Sequence, residues 1–422
     1  MANQKSDGTI DFLIVGAGAA GGRAAQALRE EKARGRVVVV GAEQERPYQR
    51  PPLSKDFLRG ETPKHDIYLH PADWTEQHDV ELRTGTRAEA LDVRRRAVTL
   101  ADGETLRFRR LLLATGSAPR QLSIPGASLE NVLVLRTVGD AERIQRAVEG
   151  KHRVVLVGGG FIGGEVAASL RQKGLEPTVV AREAVLWEHV FGPRVAAAFQ
   201  RKLERGGVRV LNGDTVVRIE GQGRAERVVT ERGQSLECDA VIVGIGAAPR
   251  LELVEGTSIK TGNGVLVDRF LRTSAAGIYA AGDVARFYSP LYGARLRVEH
   301  WDVAEKHGAL AGRNMAREAA GRADERESFD EPPYFFSDLF DLAMEYVGSG
   351  RPTDSVVLRG DPEAGPFSAF YVRRGRLVAG VFINRNEDVD PVKALIQSRL
   401  EVDRDVRQRL SDPGTDLREL GG

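Results

Sequence analysis

One local pattern occurs twice in this chain, and the repetition limits the fold more than any other feature. Residues 12–43 run through an apolar strand (Phe12-Leu13-Ile14-Val15), a turn with Gly16, Gly18 and Gly21, a helical stretch, and a second apolar strand (Val37-Val38-Val39-Val40) that leads to Glu43. Residues 154–183 repeat it with Val154-Val155-Leu156-Val157, then Gly158, Gly160 and Gly163, a helical stretch, and Val179-Val180-Ala181-Arg182-Glu183. Each copy is ~30 residues long, the size of two parallel strands joined by a helix. In such a turn the first glycine permits the tight bend, the second lets a pyrophosphate approach the backbone, and the third lets helix and strand pack closely. The helix N-terminus then offers free amides and a partial positive charge to the phosphates. Two copies imply two dinucleotides. Hydride transfer between a nicotinamide and a flavin is the economical reason to hold both.

The copies differ where their second strands end. Glu43 is placed to accept hydrogen bonds from an adenosine ribose. In the second copy Ala181 and Arg182 stand where an acid would favour NAD, and an arginine there pairs with a 2′-phosphate. Glu183, which aligns with Glu43, pulls the other way. The balance leans to NADPH.

Further short apolar runs close each block: Leu111-Leu112-Leu113-Ala114-Thr115-Gly116 the first, Ala240-Val241-Ile242-Val243-Gly244-Ile245-Gly246 the second. Ile278-Tyr279-Ala280-Ala281-Gly282-Asp283 follows alone. Continuous rather than alternating runs suit strands covered on both faces, so the fold class is α/β with doubly wound parallel sheets. Asp102-Gly103 marks a hairpin within 80–110, and 301–320 has helical spacing with Trp301, Ala304, Leu310, Ala311 and Met315. After Pro332-Pro333 the pattern becomes strand-like alternation up to about residue 390, which predicts a smaller C-terminal α+β domain.

Composition removes several function classes. The 422 residues carry 61 Lys and Arg against 60 Asp and Glu, a balance that argues against a dedicated nucleic-acid binder. The single cysteine, Cys238, excludes an intramolecular disulfide, a Cys-x-x-Cys redox centre and a cysteine-ligated cluster. The seven histidines show no metal-ligand spacing, so no metal site is expected. No apolar run reaches the ~20 residues of a membrane span, and Met1 to Ile10 lack the apolar core of a secretion signal, which predicts a cytoplasmic protein without membrane attachment.

Pro47-Tyr48-Gln49-Arg50-Pro51-Pro52-Leu53-Ser54-Lys55 is the sharpest family marker. With Ala114 to Arg120, Leu135-Arg136-Thr137, Ala280 to Val284, Val298 to Trp301 and Tyr334-Phe335-Phe336-Ser337-Asp338, it resembles the ferredoxin and rubredoxin reductases of bacterial oxygenase systems. Monodehydroascorbate reductase and apoptosis-inducing factor are relatives of that family. The resemblance implies a glutathione-reductase-like fold with FAD and NAD(P)H as cofactors. It implies a discontinuous FAD domain (1–119 and 246–331), an inserted NAD(P)H domain (120–245) and a C-terminal domain (332–422). FAD would be held by Gly16, Gly18, Ala19, Ala20, Gly21, Glu43, Arg50, Pro51, Lys55, Ala114, Thr115, Gly116, Arg136, Gly282, Asp283, Glu299, His300 and Trp301. NAD(P) would be held by Gly158, Gly160, Phe161, Ile162, Gly163, Glu165, Arg182, Glu183, Gly244, Ile245 and Gly246. Lys55 would lie beside the flavin N5 edge, with Glu165 near the nicotinamide; their work is placement and field rather than proton transfer.

In related disulfide reductases and flavin peroxidases a cysteine stands near the flavin, whereas this chain has Leu53-Ser54-Lys55. Electrons must therefore leave directly from the flavin edge. The first expectation is a ferredoxin–NAD(P)+ reductase, a monomer or homodimer that meets a small electron carrier transiently. Residues 286–322 hold seven basic residues (Arg286, Arg295, Arg297, Lys306, Arg313, Arg317, Arg322) against four acidic, a candidate surface for an acidic carrier. The alternative is a reductase of small acceptors such as quinones or ascorbyl radical, since Val298-Glu299-His300 and Phe336 stand closer to that pattern. A third reading, a redox-switched binding protein, would call for a strongly basic surface or a long insertion.

Overall fold

The computed structural model describes residues 8–421. The polar start expected to lack a secretion signal falls outside these residues up to position 7. Two compact units form among the described residues: 8–49, 65–118 and 248–331 make the first, and 50–64, 119–247 and 332–421 the second.

The core of the first unit is a parallel sheet in the order Val80–Arg83, Val37–Val40, Ile10–Val15, Thr105–Leu113, with Ile278–Ala280 beside the end of the last. Val37 to Val40 and Leu111 to Leu113 are all enclosed, as continuous apolar runs require, and each such side chain contributes about 1.5–3 kcal/mol. The Asp102-Gly103 turn joins Ala97–Leu100 to Thr105–Leu113 in an antiparallel pair, and Ala88–Asp92 continues that meander. The helix Ala19–Glu30 lies against the long helix Trp301–Ala319. Their close approach depends on Gly308 and Gly312: a Cβ would stand 2.1 Å from the Ala20 carbonyl oxygen at the first and 2.5 Å from that of Ala24 at the second.

The second unit repeats the arrangement. Its parallel sheet runs Arg209–Leu211, Glu176–Val180, Arg153–Val157, Ala240–Val243, Val132–Val134. A three-stranded meander, Val216–Glu220, Arg227–Thr230 and Ser235–Glu237, takes the place of the first unit's meander. Residues 334–383 add an antiparallel sheet ordered Tyr334–Leu339, Leu342–Gly348, Arg376–Ile383, Phe367–Arg373, Ser355–Arg359. Helices Val389–Gln397 and Arg404–Ser411 follow it. Within this unit Phe161, at the head of the glycine helix, meets Phe335 of the edge strand at 5.3 Å, edge-on, and Phe335 stacks on Tyr346 at 4.5 Å. These rings join the nucleotide-type sheet to the C-terminal one. No helix among the described residues is long and apolar enough to cross a membrane.

Candidate functional site

The first unit gathers one set of predicted residues around the turn between Ile10–Val15 and Ala19–Glu30. Gly16 has φ +119°, and a Cβ there would lie 2.0 Å from the Ala114 carbonyl oxygen. Gly21 packs against Gly16 in the same way, at 1.8 Å. Gly18 differs: a Cβ on it would meet nothing within 4 Å. The first and third glycines serve packing, and the second borders open space. The helix behind it has Gly18 as its cap, no side-chain cap bond and no acid in its first turn, so its leading amides stay available to an anion. Gly282 approaches Ala20 and Ala304, which brings Asp283 to the same place. Asp283 is buried and accepts a hydrogen bond from Ser117 Oγ at 2.8 Å. Thr115 donates to the Arg250 carbonyl at 3.0 Å, tying down the Ala114–Gly116 segment. His300 caps the long helix through its ring nitrogen, and Trp301 begins it with its indole N–H enclosed and without an acceptor among the described residues. Glu299 pairs with Arg297. Glu43, beyond the second strand, accepts from Tyr48 Oη at 2.5 Å. An open cradle at Gly18, a buried carboxylate and an unanswered indole N–H together fit a dinucleotide.

The second unit repeats the turn. Gly158 (φ +106°) packs on the Gly244 carbonyl, Gly163 packs on Gly158, and a Cβ on Gly160 would make only an ordinary contact, 3.8 Å from the Gly244 carbonyl oxygen. Ile162 and Ile245, on either side, are 44% and 36% exposed. Gly246 has φ +95° and accepts a backbone bond from Arg120. Arg182 is exposed, and the Glu183 carbonyl accepts from Gly213 N–H. These features fit a second dinucleotide at a more open site.

Arg50, Pro51, Lys55 and Arg136 belong to the second unit. Arg50 donates to the Arg136 carbonyl, and Pro51 opens the short turn Pro51–Ser54. Lys55 and Glu165 are 9% and 6% exposed, and Lys55 Nζ lies 3.5 Å from Glu165 Oε1. A second carboxylate is closer: Lys55 Nζ donates to Asp338 Oδ2 at 2.6 Å and sits 4.5 Å from the Phe336 ring centre. Glu165 receives two hydroxyls, Ser54 Oγ at 2.6 Å on Oε2 and Ser337 Oγ at 2.6 Å on Oε1. Two hydroxyl donors and the nearby ammonium thus hold the Glu165 carboxylate in place. Sequence reasoning quoted Ser54, Ser337 and Asp338 within motifs but gave them no role. Their contacts span 111, 172 and 283 residues of chain, and no local pattern reports such pairings.

Two side chains define what the protein does not use. Cys238 is buried, and burial with the neighbouring Asp239 charge pushes its thiol up to about 12, so it is an inert core residue. His307, on the long helix, lies edge-on between Phe287 and Phe329. Burial pushes it down to about 3 against the opposing effect of Asp283. The basic window 286–322 is largely neutralised. Arg297, Lys306, Arg313, Arg317 and Arg322 pair with carboxylates, several from outside the window: Glu31, Glu325, Glu327 and Glu331. The net charge read from that stretch is therefore not a free basic patch.

Comparison with known proteins covers nearly the whole chain. The family described as pyridine nucleotide-disulphide oxidoreductase matches residues 10–308, and reductase C-terminal matches 334–421. The chain is 37% identical to the anthranilate 1,2-dioxygenase system ferredoxin–NAD(+) reductase component of Burkholderia cepacia, over 96% of this chain and 98% of that protein. It is 35% identical to the 5,5′-dehydrodivanillate O-demethylase ferredoxin reductase subunit of Sphingobium sp., over 97% and 98%. Among solved structures, the covalent putidaredoxin reductase–putidaredoxin complex aligns with a TM-score of 0.91 and 32% identity, covering 98% of each chain.

Proposed function

Because the chain belongs to the pyridine nucleotide-disulphide oxidoreductase family and ends in that family's reductase C-terminal domain, we propose that it passes electrons from NAD(P)H through FAD to a ferredoxin-type carrier. The observation that carries this reading is the end-to-end match to ferredoxin reductase components of oxygenase systems, joined to a buried lone thiol. With no reactive cysteine in the chain, the family's disulfide chemistry has no group to act on here.

FAD, when bound, accepts two electrons as hydride and returns them one at a time. Its pyrophosphate suits the Gly16–Gly21 turn and the helix amides behind it, its adenosine ribose suits Glu43, and Asp283 suits its ribityl hydroxyls. The chain's own contribution is placement and charge. Lys55 supplies a buried cation next to two carboxylates and would counter negative charge on a bound cofactor. Glu165 is held by two hydroxyl donors, and its part is placement. The open turn of the second unit suits a nucleotide that must enter and leave at each turnover. Arg182, exposed just past the second strand of its unit, is the group we assign to a 2′-phosphate, giving a preference for NADPH. We infer a cytoplasmic location, where both nucleotides are available.

Anaerobic flavin bleaching with NADPH and with NADH, followed by mixing with a ferredoxin and separately with a quinone, tests the proposal. Rapid reoxidation by ferredoxin is the expected result. Reoxidation by quinone alone would move the protein to the second reading, a reductase of small acceptors, which the neutralised helix face favours.

A further inference from the structure

The edge strand Tyr334–Leu339 touches both members of the charged pair, and it does so with alternate residues. In a strand, successive side chains point to opposite faces. Phe335, Ser337 and Leu339 face the glycine helix Phe161–Gln172: Phe335 meets Phe161, Ser337 donates to Glu165, and Leu339 Cδ2 lies 3.6 Å from where a Cβ on Gly164 would stand. Phe336 and Asp338 point the other way and meet Lys55. Ser54 supports the first set from a different segment, and its own carbonyl is held by Ser169 Oγ of the same helix at 2.7 Å.

We propose that this strand sets the two charges independently: Asp338 with Phe336 positions Lys55, while Ser337 with Ser54 positions Glu165. The distances support the division. Lys55 is a full hydrogen bond from Asp338 at 2.6 Å and only a loose ion pair from Glu165 at 3.5 Å. Each oxygen of Glu165 accepts a hydrogen bond from a hydroxyl at 2.6 Å, shorter than its distance to Lys55. Asp338 has a side chain 44% exposed, so it is the solvent-side anchor of an otherwise buried lysine. Its hold is therefore weaker than that of the two enclosed hydroxyls. All four positioning groups are distinct from the pair they serve.

The assignment rests on Lys55 and Glu165 serving hydride transfer, and Lys55→Met and Glu165→Gln test that premise separately. Three measurements on the FAD-loaded protein test the division. The first is the acetylation rate of Lys55, read by mass spectrometry. Asp338→Asn is expected to change it about fivefold and Ser337→Ala by less than about twofold, in line with a part-exposed ion pair. The second is binding of NADP+ and NAD+ by equilibrium dialysis. Ser337→Ala and Ser54→Ala are each expected to weaken the preferred nucleotide about tenfold, as the loss of a hydrogen bond to a charged group implies, while Asp338→Asn leaves it within about twofold. The third is a mutant cycle on flavin reduction. Asp338→Asn should cost nothing further in the Lys55→Met background, and should add independently to Ser337→Ala. Asp338→Glu, which restores the carboxylate, should recover part of the loss and serves if the Asn variant folds poorly.

Equal changes in Lys55 acetylation from Asp338→Asn and Ser337→Ala, or strong coupling between those two, would overturn the proposal. If Lys55→Met and Glu165→Gln were themselves silent, the reading of the pair would fail instead.

Discussion

The two nucleotide-type sheets are built to one plan and finished differently. Backbone bonds at the strand ends match one for one: Gly16 N–H to Val40 and Gly158 N–H to Val180, Thr86 to Gly41 and Asp214 to Ala181, Gly85 to Glu43 and Gly213 to Glu183. That alignment sets Ala20 opposite Ile162 and Ala42 opposite Arg182. In the first unit a second helix closes over the glycine helix through Gly308 and Gly312, and Ala20 is 6% exposed. In the second unit the glycine helix meets an edge strand and a cluster of rings, and Ile162 is 44% exposed. The closed copy suits a cofactor that stays, the open copy a substrate that exchanges.

The sharpest way to break this comparison is to make the same change in each copy. Gly21→Ala places a Cβ 1.8 Å from the Gly16 carbonyl, and Gly163→Ala places one 2.3 Å from that of Gly158. The first is expected to yield protein without flavin, read from its absorbance. The second should keep flavin while its reduction by nucleotide slows about a hundredfold. Loss of flavin from both would show that the copies do not divide the cofactors.

Acid stability probes the closing helix. His307 titrates near 6.5 when unfolded and is pushed down to about 3 by burial in the fold. Below 6.5 the unfolded chain binds a proton that the folded one refuses, so stability falls as the pH drops from there toward about 3. The slope from this one group is at most about 1.4 kcal/mol per pH unit. His307→Leu should flatten the dependence of the melting temperature on pH across that window. An unchanged profile would mean that the ring is protonated in the fold.

A smaller effect sharpens the difference in charge at the strand ends. Arg182→Ala is expected to lower the ratio of kcat/KM for NADPH over NADH about tenfold, since one exposed charge-assisted contact is worth about 1.4 kcal/mol. No change in the ratio would leave Glu183, the counterpart of Glu43, as the residue that selects the nucleotide.

What could be read from the sequence was whatever lies within one strand–helix–strand unit. The glycine spacing, the four-valine strand and the Asp102-Gly103 hairpin each act over a few residues, and their patterns survive without knowledge of the rest. Charge did not read through in the same way. The window 286–322 looks basic only because Glu31, Glu325, Glu327 and Glu331 lie outside it, and Glu31 is brought to Arg317 by packing between two helices. The anchors of the charged pair were hidden for the same reason. Asp338 is one of many aspartates until folding places it 2.6 Å from a lysine 283 positions earlier.

The first unit's sheet draws its last parallel strand, Ile278–Ala280, from far beyond Thr105–Leu113, and Asp283 follows that strand. The second unit's nucleotide-type sheet is complete within residues 132–243. A ribosome therefore delivers the second nucleotide platform in one stretch of translation. It delivers the first in two parts, with the whole of the second between them. The nascent chain has no closed flavin cradle until the long helix that ends at Ala319 has emerged. A strand left waiting that long is open to wrong pairings, so the early half of this protein is where folding in the cell is most exposed to failure.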